Sequence, residues 1–231
     1  MHGRALAAEF TGTFAILFVL FGAATISAGS ADATTVVALA VGCAIIGVTY
    51  ALGAVSGGHF NPAVTLGLVA GGRFDIAHAP GFIVAQTVGG MLAAGAIQFL
   101  LLGLPSQDAS AGQAWTQVAN VVGDQWPSIW SAALCEFLLA ALFVIVFMGA
   151  TSRSAAAALA PIAIGMSFAA FYVVAVPVTN GGLNPARSTG AAAFAGLPAL
   201  AQLWFFWIVP IIGAVVGGIW ARLILNEQKN N

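Results

Sequence analysis

Ser56-Gly57-Gly58-His59-Phe60-Asn61-Pro62-Ala63-Val64-Thr65 and Asn180-Gly181-Gly182-Leu183-Asn184-Pro185-Ala186-Arg187-Ser188-Thr189 decide how this chain is read. Each stretch runs Gly-Gly, a short spacer, then Asn-Pro-Ala, and Asn61 and Asn184 stand 123 residues apart. Asn caps free backbone N–H groups, and Pro at the first helical position forfeits no hydrogen bond, so each box starts a helix. The glycines before it allow unusual backbone angles and close approach of another segment. Both boxes lie between apolar segments long enough to cross a bilayer.

The rest of the composition agrees with that setting. Of 231 residues, 61% are hydrophobic and only 6% charged, against about a quarter charged in soluble domains. So few charges cannot cover a water-facing surface, and the chain is read as an integral membrane protein. A net charge of -1 leaves no nucleic-acid footprint. Cys43 and Cys135 lie in apolar segments, and no disulfide is expected.

A spanning helix needs roughly 20 apolar residues. Six stretches qualify: 5–28, 35–55, 81–103, 129–150, 158–178 and 201–224. Segments 61–71 and 184–194 are apolar but about half as long. Two such half-helices cover about 15 Å each, together about one hydrocarbon thickness. The expected fold is all-α: six transmembrane helices plus two re-entrant half-helices meeting tip to tip. It forms one domain over 1–231, with halves 4–103 and 128–225 joined by a long polar loop, 104–127, that contains Pro105, Asp108 and Asp124. Three spans per half make the second half inverted. Ala8-Glu9-Phe10 and Cys135-Glu136-Phe137 repeat near the start of each half, as do Gln86 to Gly89 and Pro210 to Gly213 in its last span. Inverted repeats with broken helices mark a transport pathway at the repeat interface. Glycines such as Gly89 and Gly213 predict a tight crossing of the third and sixth spans.

Arg4, Arg73, Arg153, Arg222 and Lys229 fall on one side of the six spans, while Asp32, Asp108 and Asp124 fall on the other. The excess of cations on one side places both termini in the cytoplasm. Arg187 is the exception, inside the second half-helix. An Arg at the centre of a membrane helix costs roughly 2.5–3.5 kcal/mol on insertion scales, so it is a functional candidate.

At each box the Asn carbonyl is expected to take up backbone N–H groups of its own helix, leaving the amide N–H to point into a lumen. Both helix N-termini converge there, each carrying about half a positive charge. That pairing repels cations and orients neutral hydrogen-bonding molecules. Backbone carbonyls of Gly57 to His59 and of Gly181 to Leu183 are expected to line the same path as acceptors.

The paired boxes, with Arg187 directly after the second, resemble the aquaporin or major intrinsic protein family. Ser56 to Thr65 and Gln202 to Trp207 are similar to its bacterial Z-type branch. The resemblance implies a passive channel in the inner (plasma) membrane. Its permeants would be water and small neutral solutes such as glycerol, its assembly a homotetramer, and it would need no cofactor, metal or covalent chemistry. It makes Asn61, Pro62, Ala63, Asn184, Pro185 and Ala186 the central motif, with His59, Gly57, Gly58, Gly182 and Leu183 lining the lumen. It puts Val41, Tyr172, Gly181 and Arg187 at an outer selectivity filter. Val, Tyr and Gly match neither the usual water filter (Phe, His, then a small polar residue or Cys) nor the glycerol filter (Trp, Gly, Phe). Tyr172 supplies bulk and a hydroxyl, while Val41 and Gly181 are expected to open space. In an alternative placement Tyr172 faces lipid, and Phe171 or Phe168 lines the pore. Glu9 and Glu136 are expected as buried anchors of the re-entrant loops. As proton-relay groups they would instead indicate a coupled transporter.

Overall fold

The computed structural model describes residues 2–103, 110–123 and 128–225. Pro105, Asp108, Asp124, Lys229 and the tail 226–231 lie outside them. All regular structure among the described residues is helical. Six helices are long and apolar enough to cross a membrane: α1 (His2–Ile26), α2 (Ala33–Ser56), α4 (Ala79–Leu102), α6 (Ile129–Ala150), α7 (Ala160–Thr179) and α9 (Leu197–Ile224). Two short helices, α3 (Pro62–Ala70) and α8 (Pro185–Ala195), start at the two boxes. One helix was not expected. Within the segment read as a long polar loop, Ser110–Val118 forms α5, and its Trp115 is fully buried. Trp115 stacks on Phe194 and donates its indole N–H to Gln98 at 2.6 Å. Helix α5 is therefore tied into the helical body, because a buried indole needs both apolar contact and an acceptor.

Local chemistry starts and stops these helices. Asn61 caps α3 through the Ala63 N–H at 2.8 Å, with Pro62 behind it. Asn184 caps α8 through Ala186 at 3.0 Å and Arg187 at 3.4 Å. α2 ends on Gly57 at φ 98, and α7 on Asn180 at φ 61. Both are left-handed caps, the geometry that Gly and Asn accept most readily.

The third and sixth spans do not form the expected tight crossing with each other. α4 packs against α1 and α8, and α9 against α6 and α3. The glycines mark those contacts: a Cβ on Gly89 would lie 2.6 Å from the Phe10 carbonyl, and one on Gly213 2.2 Å from that of Phe137. Gly90 and Gly190 join α4 to α8, and Gly67 and Gly218 join α3 to α9. Each half-helix thus leans on a full span of the opposite half. In a bilayer, where apolar contact alone does not hold helices together, close backbone approach supplies the packing.

Candidate functional site

The two half-helices meet at their starts, and their asparagines cross. Asn61 Nδ2 donates to the Leu183 carbonyl at 2.9 Å, and Asn184 Nδ2 donates to the Phe60 carbonyl at 3.1 Å. Each carboxamide has two N–H groups. One stitches the opposite loop, so one per residue remains for a guest. This narrows the expectation that the amide serves the lumen alone. It also engages the Leu183 carbonyl, read beforehand as an open acceptor. Phe60 (φ 48) and Leu183 (φ 37) hold their carbonyls in place with left-handed backbones, strain that the surrounding bonds must sustain.

Those bonds come from two carboxylates with no solvent exposure. Glu9 Oε1 accepts from Ser56 Oγ at 2.6 Å and His59 N at 3.0 Å. Glu9 Oε2 accepts from Phe60 N and Gln86 Nε2, both at 2.7 Å. Glu136 Oε1 accepts from Thr179 Oγ1 at 2.5 Å and Gly182 N at 2.9 Å, and its Oε2 from Leu183 N at 2.6 Å. The loop N–H groups could find no water here, and charged acceptors satisfy them with stronger bonds than neutral ones.

Asn61 and Asn184 open onto a narrow cavity of about 30 Å³, which Val41, Tyr172, Gly181 and Arg187 also line, with Gly58, His59 and Gly182. Its remaining wall is mostly aliphatic and aromatic. Gly57 and Leu183 are not on this lining, and the Leu183 side chain belongs to the core. Glu9 and Glu136 do not reach it either. A second hollow of about 120 Å³, bordered by Thr34, Gln117 and Asn180, shares only Tyr172 and Arg187 with the first. These two side chains stand between the two spaces.

Tyr172 is 1% exposed and lines both hollows, not a lipid face. Phe168, one turn earlier, lines the inner hollow too and stacks on it, with ring centroids 5.7 Å apart. The expectation that Gly181 opens space does not hold: a Cβ there would fall 2.3 Å from the Tyr172 ring. The ring fills the room that the glycine leaves, and its hydroxyl donates to the Asn180 carbonyl at 3.2 Å.

Arg187 is 2% exposed. Its Nη1 donates to Asn120 Oδ1, and its Nη2 to the carbonyls of Val118 at 2.6 Å and Asn180 at 2.9 Å. A longer contact, 3.4 Å, reaches the Tyr172 hydroxyl. These acceptors are carbonyls, an amide and a phenol, so none neutralises the charge. Nε–H has no acceptor among the described residues.

The sequence reading missed three supporting residues. Asn120 is 3% exposed; its Nδ2 donates to the Thr179 carbonyl at 2.7 Å, and its Oδ1 accepts from Ser188 Oγ at 2.8 Å as well as from Arg187. Nothing in a polar loop singles it out. Gln86 was read only as a repeat marker, although an amide in an apolar span is itself a signal. Thr65 holds the position in the first box that Ser188 holds in the second, and the 123-residue spacing could have revealed the pair.

Half-helices capped nose to nose beside a cavity, with a buried cation held by neutral acceptors at its neck, define a membrane channel. The chain matches the Major intrinsic protein family over residues 2–220 and belongs to it. That is a family of channels, not enzymes. It is similar to an aquaporin Z of Photorhabdus laumondii, 42% identical over 234 residues that cover 98% of this chain and 99% of the relative. An aquaporin Z of Brucella melitensis is 42% identical over 226 residues, 95% of this chain and 97% of that one. The fold matches the aquaglyceroporin of Plasmodium falciparum with a TM-score of 0.80, covering 98% of this chain and 96% of that one at 21% identity. At that identity the likeness concerns the fold alone.

Proposed function

We propose that the chain is a passive channel for water, with small neutral solutes such as glycerol as a second class of permeant. One observation carries this reading: two capped helix N-termini and the buried Arg187, held by neutral acceptors, share one cavity. A molecule at the junction accepts hydrogen bonds from the free N–H groups of Asn61 and Asn184. At the neck it accepts from Arg187. Donors and positive helix ends at the junction and the neck disfavour cations, while the apolar wall holds a neutral guest weakly. Val41, Tyr172, Gly181 and Arg187 form the filter in this reading, and the Tyr172 ring sets its width. Glu9 and Glu136 lie off the cavity, which speaks for anchoring rather than coupled proton transport.

The domain spans 1–231, with inverted halves 4–103 and 128–225. Both termini face the cytoplasm of an inner (plasma) membrane, supported by the placement of Arg4, Arg73, Arg153 and Arg222. The assembly is a homotetramer, as in the resemblance above, and exposed apolar residues such as Leu39 and Trp220 face lipid or sister subunits.

Stopped-flow shrinkage and swelling of proteoliposomes tests the assignment. Wild type should conduct water well above protein-free vesicles, without a pH gradient. Arg187→Ala should raise the glycerol-to-water flux ratio about tenfold, since the charged donor at the neck is gone. No water flux above protein-free vesicles overturns the reading, and an unchanged ratio removes Arg187 from the filter.

A further inference from the structure

The polar chain behind His59 has a direction, and that direction fixes what His59 shows the cavity. It begins at Glu9. Each of its oxygens faces two hydrogen-bonding groups, among them the His59 and Phe60 N–H groups, which can only donate, and as a carboxylate Glu9 accepts from all four. Gln86 must therefore turn its NH₂ group toward Glu9, because the reverse orientation would set its carbonyl against a carboxylate oxygen. The same Nε2 also donates to Thr65 Oγ1 at 2.9 Å. The cost is visible: Gln86 Oε1 is buried with no hydrogen-bond partner among the described residues.

Thr65 passes the direction on. Its hydroxyl has one proton and two lone pairs. It accepts from Gln86, lies 3.1 Å from the Asn61 carbonyl as donor, and lies 3.1 Å from His59 Nδ1. All three contacts are hydrogen bonds at once only if Nδ1 carries a proton and donates to Thr65. Were the proton on Nε2, Thr65 would have to turn its hydrogen to Nδ1 and give up the Asn61 carbonyl. Phe74 and Phe82 press on the imidazole with ring centroids 4.7 and 5.1 Å away, so the ring has apolar neighbours elsewhere and the cavity beside it.

We propose that Gln86, acting through Thr65, holds His59 as the neutral tautomer protonated on Nδ1, so that Nε2 is a bare acceptor for the lumen. Gln86 and Thr65 are then positioning residues. The consequence complements the centre of the site. Asn61 and Asn184 bind a water through its oxygen, so its hydrogens point away along the lane. On the His59 side an acceptor meets them. His59 is then the counterpart of Arg187, which offers only donors at the other end. The tautomer rests on the channel reading only for the identity of the molecule that Nε2 accepts from.

Solid-state NMR of ¹⁵N-histidine-labelled protein in lipid bilayers at neutral pH tests the tautomer without measuring transport. The His59 signal is assigned by its loss in His59→Asn. Nδ1 should be the protonated, pyrrole-type nitrogen and Nε2 the bare, pyridine-type one; the reverse assignment overturns the proposal. In Gln86→Leu the preference should fall, giving both tautomers. An unchanged pattern in that folded variant removes Gln86 from the role. Should Gln86→Leu not fold, Thr65 decides: Thr65→Ser should keep the wild-type pattern, and Thr65→Val should lose it and lower water flux about fivefold, the weight of one hydrogen bond. A Thr65→Val protein with the wild-type pattern overturns the proposal. Absence of water flux in wild type would strike the channel reading and leave the NMR result standing.

Discussion

The surroundings of Asn61 and of Asn184 share a frame and differ in what they present. In both, a buried carboxylate holds two consecutive loop N–H groups and a hydroxyl at the end of the preceding span: Glu9 with Ser56, Glu136 with Thr179. In both, a hydroxyl four residues after the Asn is hydrogen-bonded to a side-chain amide: Thr65 accepts from Gln86, and Ser188 donates to Asn120. The amides come from unrelated places, Gln86 from the span α4 and Asn120 from the connecting segment after α5. One frame then turns a histidine to the cavity, the other an arginine. Repetition builds the scaffold, and the residues that differ between the two halves give each end its polarity.

The comparison breaks hardest at the carboxylates. Glu9→Gln and Glu136→Gln should each leave at least one buried loop N–H unpaired and lose charge-assisted bonds, at about 2–4 kcal/mol. Thermal unfolding in detergent should show both variants melting earlier than wild type. A variant with unchanged melting would mean that its loop stands without the anchor.

A smaller effect is expected at the neck. Gly181→Ala puts a methyl into the Tyr172 ring and onto a backbone at φ 68, at about 1–3 kcal/mol. Water flux should drop severalfold, and adding Tyr172→Ala should recover part of it. Failure of the double variant to recover would assign the loss to backbone strain alone. Smallest is Asn120→Ala, which removes one of the Arg187 acceptors. It should shift the glycerol-to-water ratio about fivefold, on the scale of one hydrogen bond, and lower the melting temperature, because the buried Thr179 carbonyl and Ser188 hydroxyl lose a partner as well. An unchanged ratio would leave the Val118 and Asn180 carbonyls as sufficient holders of Arg187.

Much of this was legible in residues alone. The six spans, the two half-helices and the caps on Ala63 and Ala186 follow from local rules, because capping and hydropathy act over a few residues. Helix α5 was not legible: its stabilising contacts, Trp115 on Phe194 and Gln98, come from distant parts of the chain. The same holds for the glycine contacts. Small residues announce close packing, but the partner of Gly89 or Gly213 is fixed by where the spans lie. Gly181 shows the limit most plainly. Read alone it is empty space; in the fold Tyr172 occupies that space.

The sequence by itself determined that this is a membrane protein, where its helices begin and that its two halves repeat, since each of these depends on composition or on neighbours a few positions away. Only the tertiary structure decided that Asn61 and Asn184 each spend one N–H on the other's loop, that Asn120 holds Arg187, and that Gln86 reaches Thr65. Hydrogen bonds between groups far apart in the chain are geometric facts about helices already packed, and no local rule contains them.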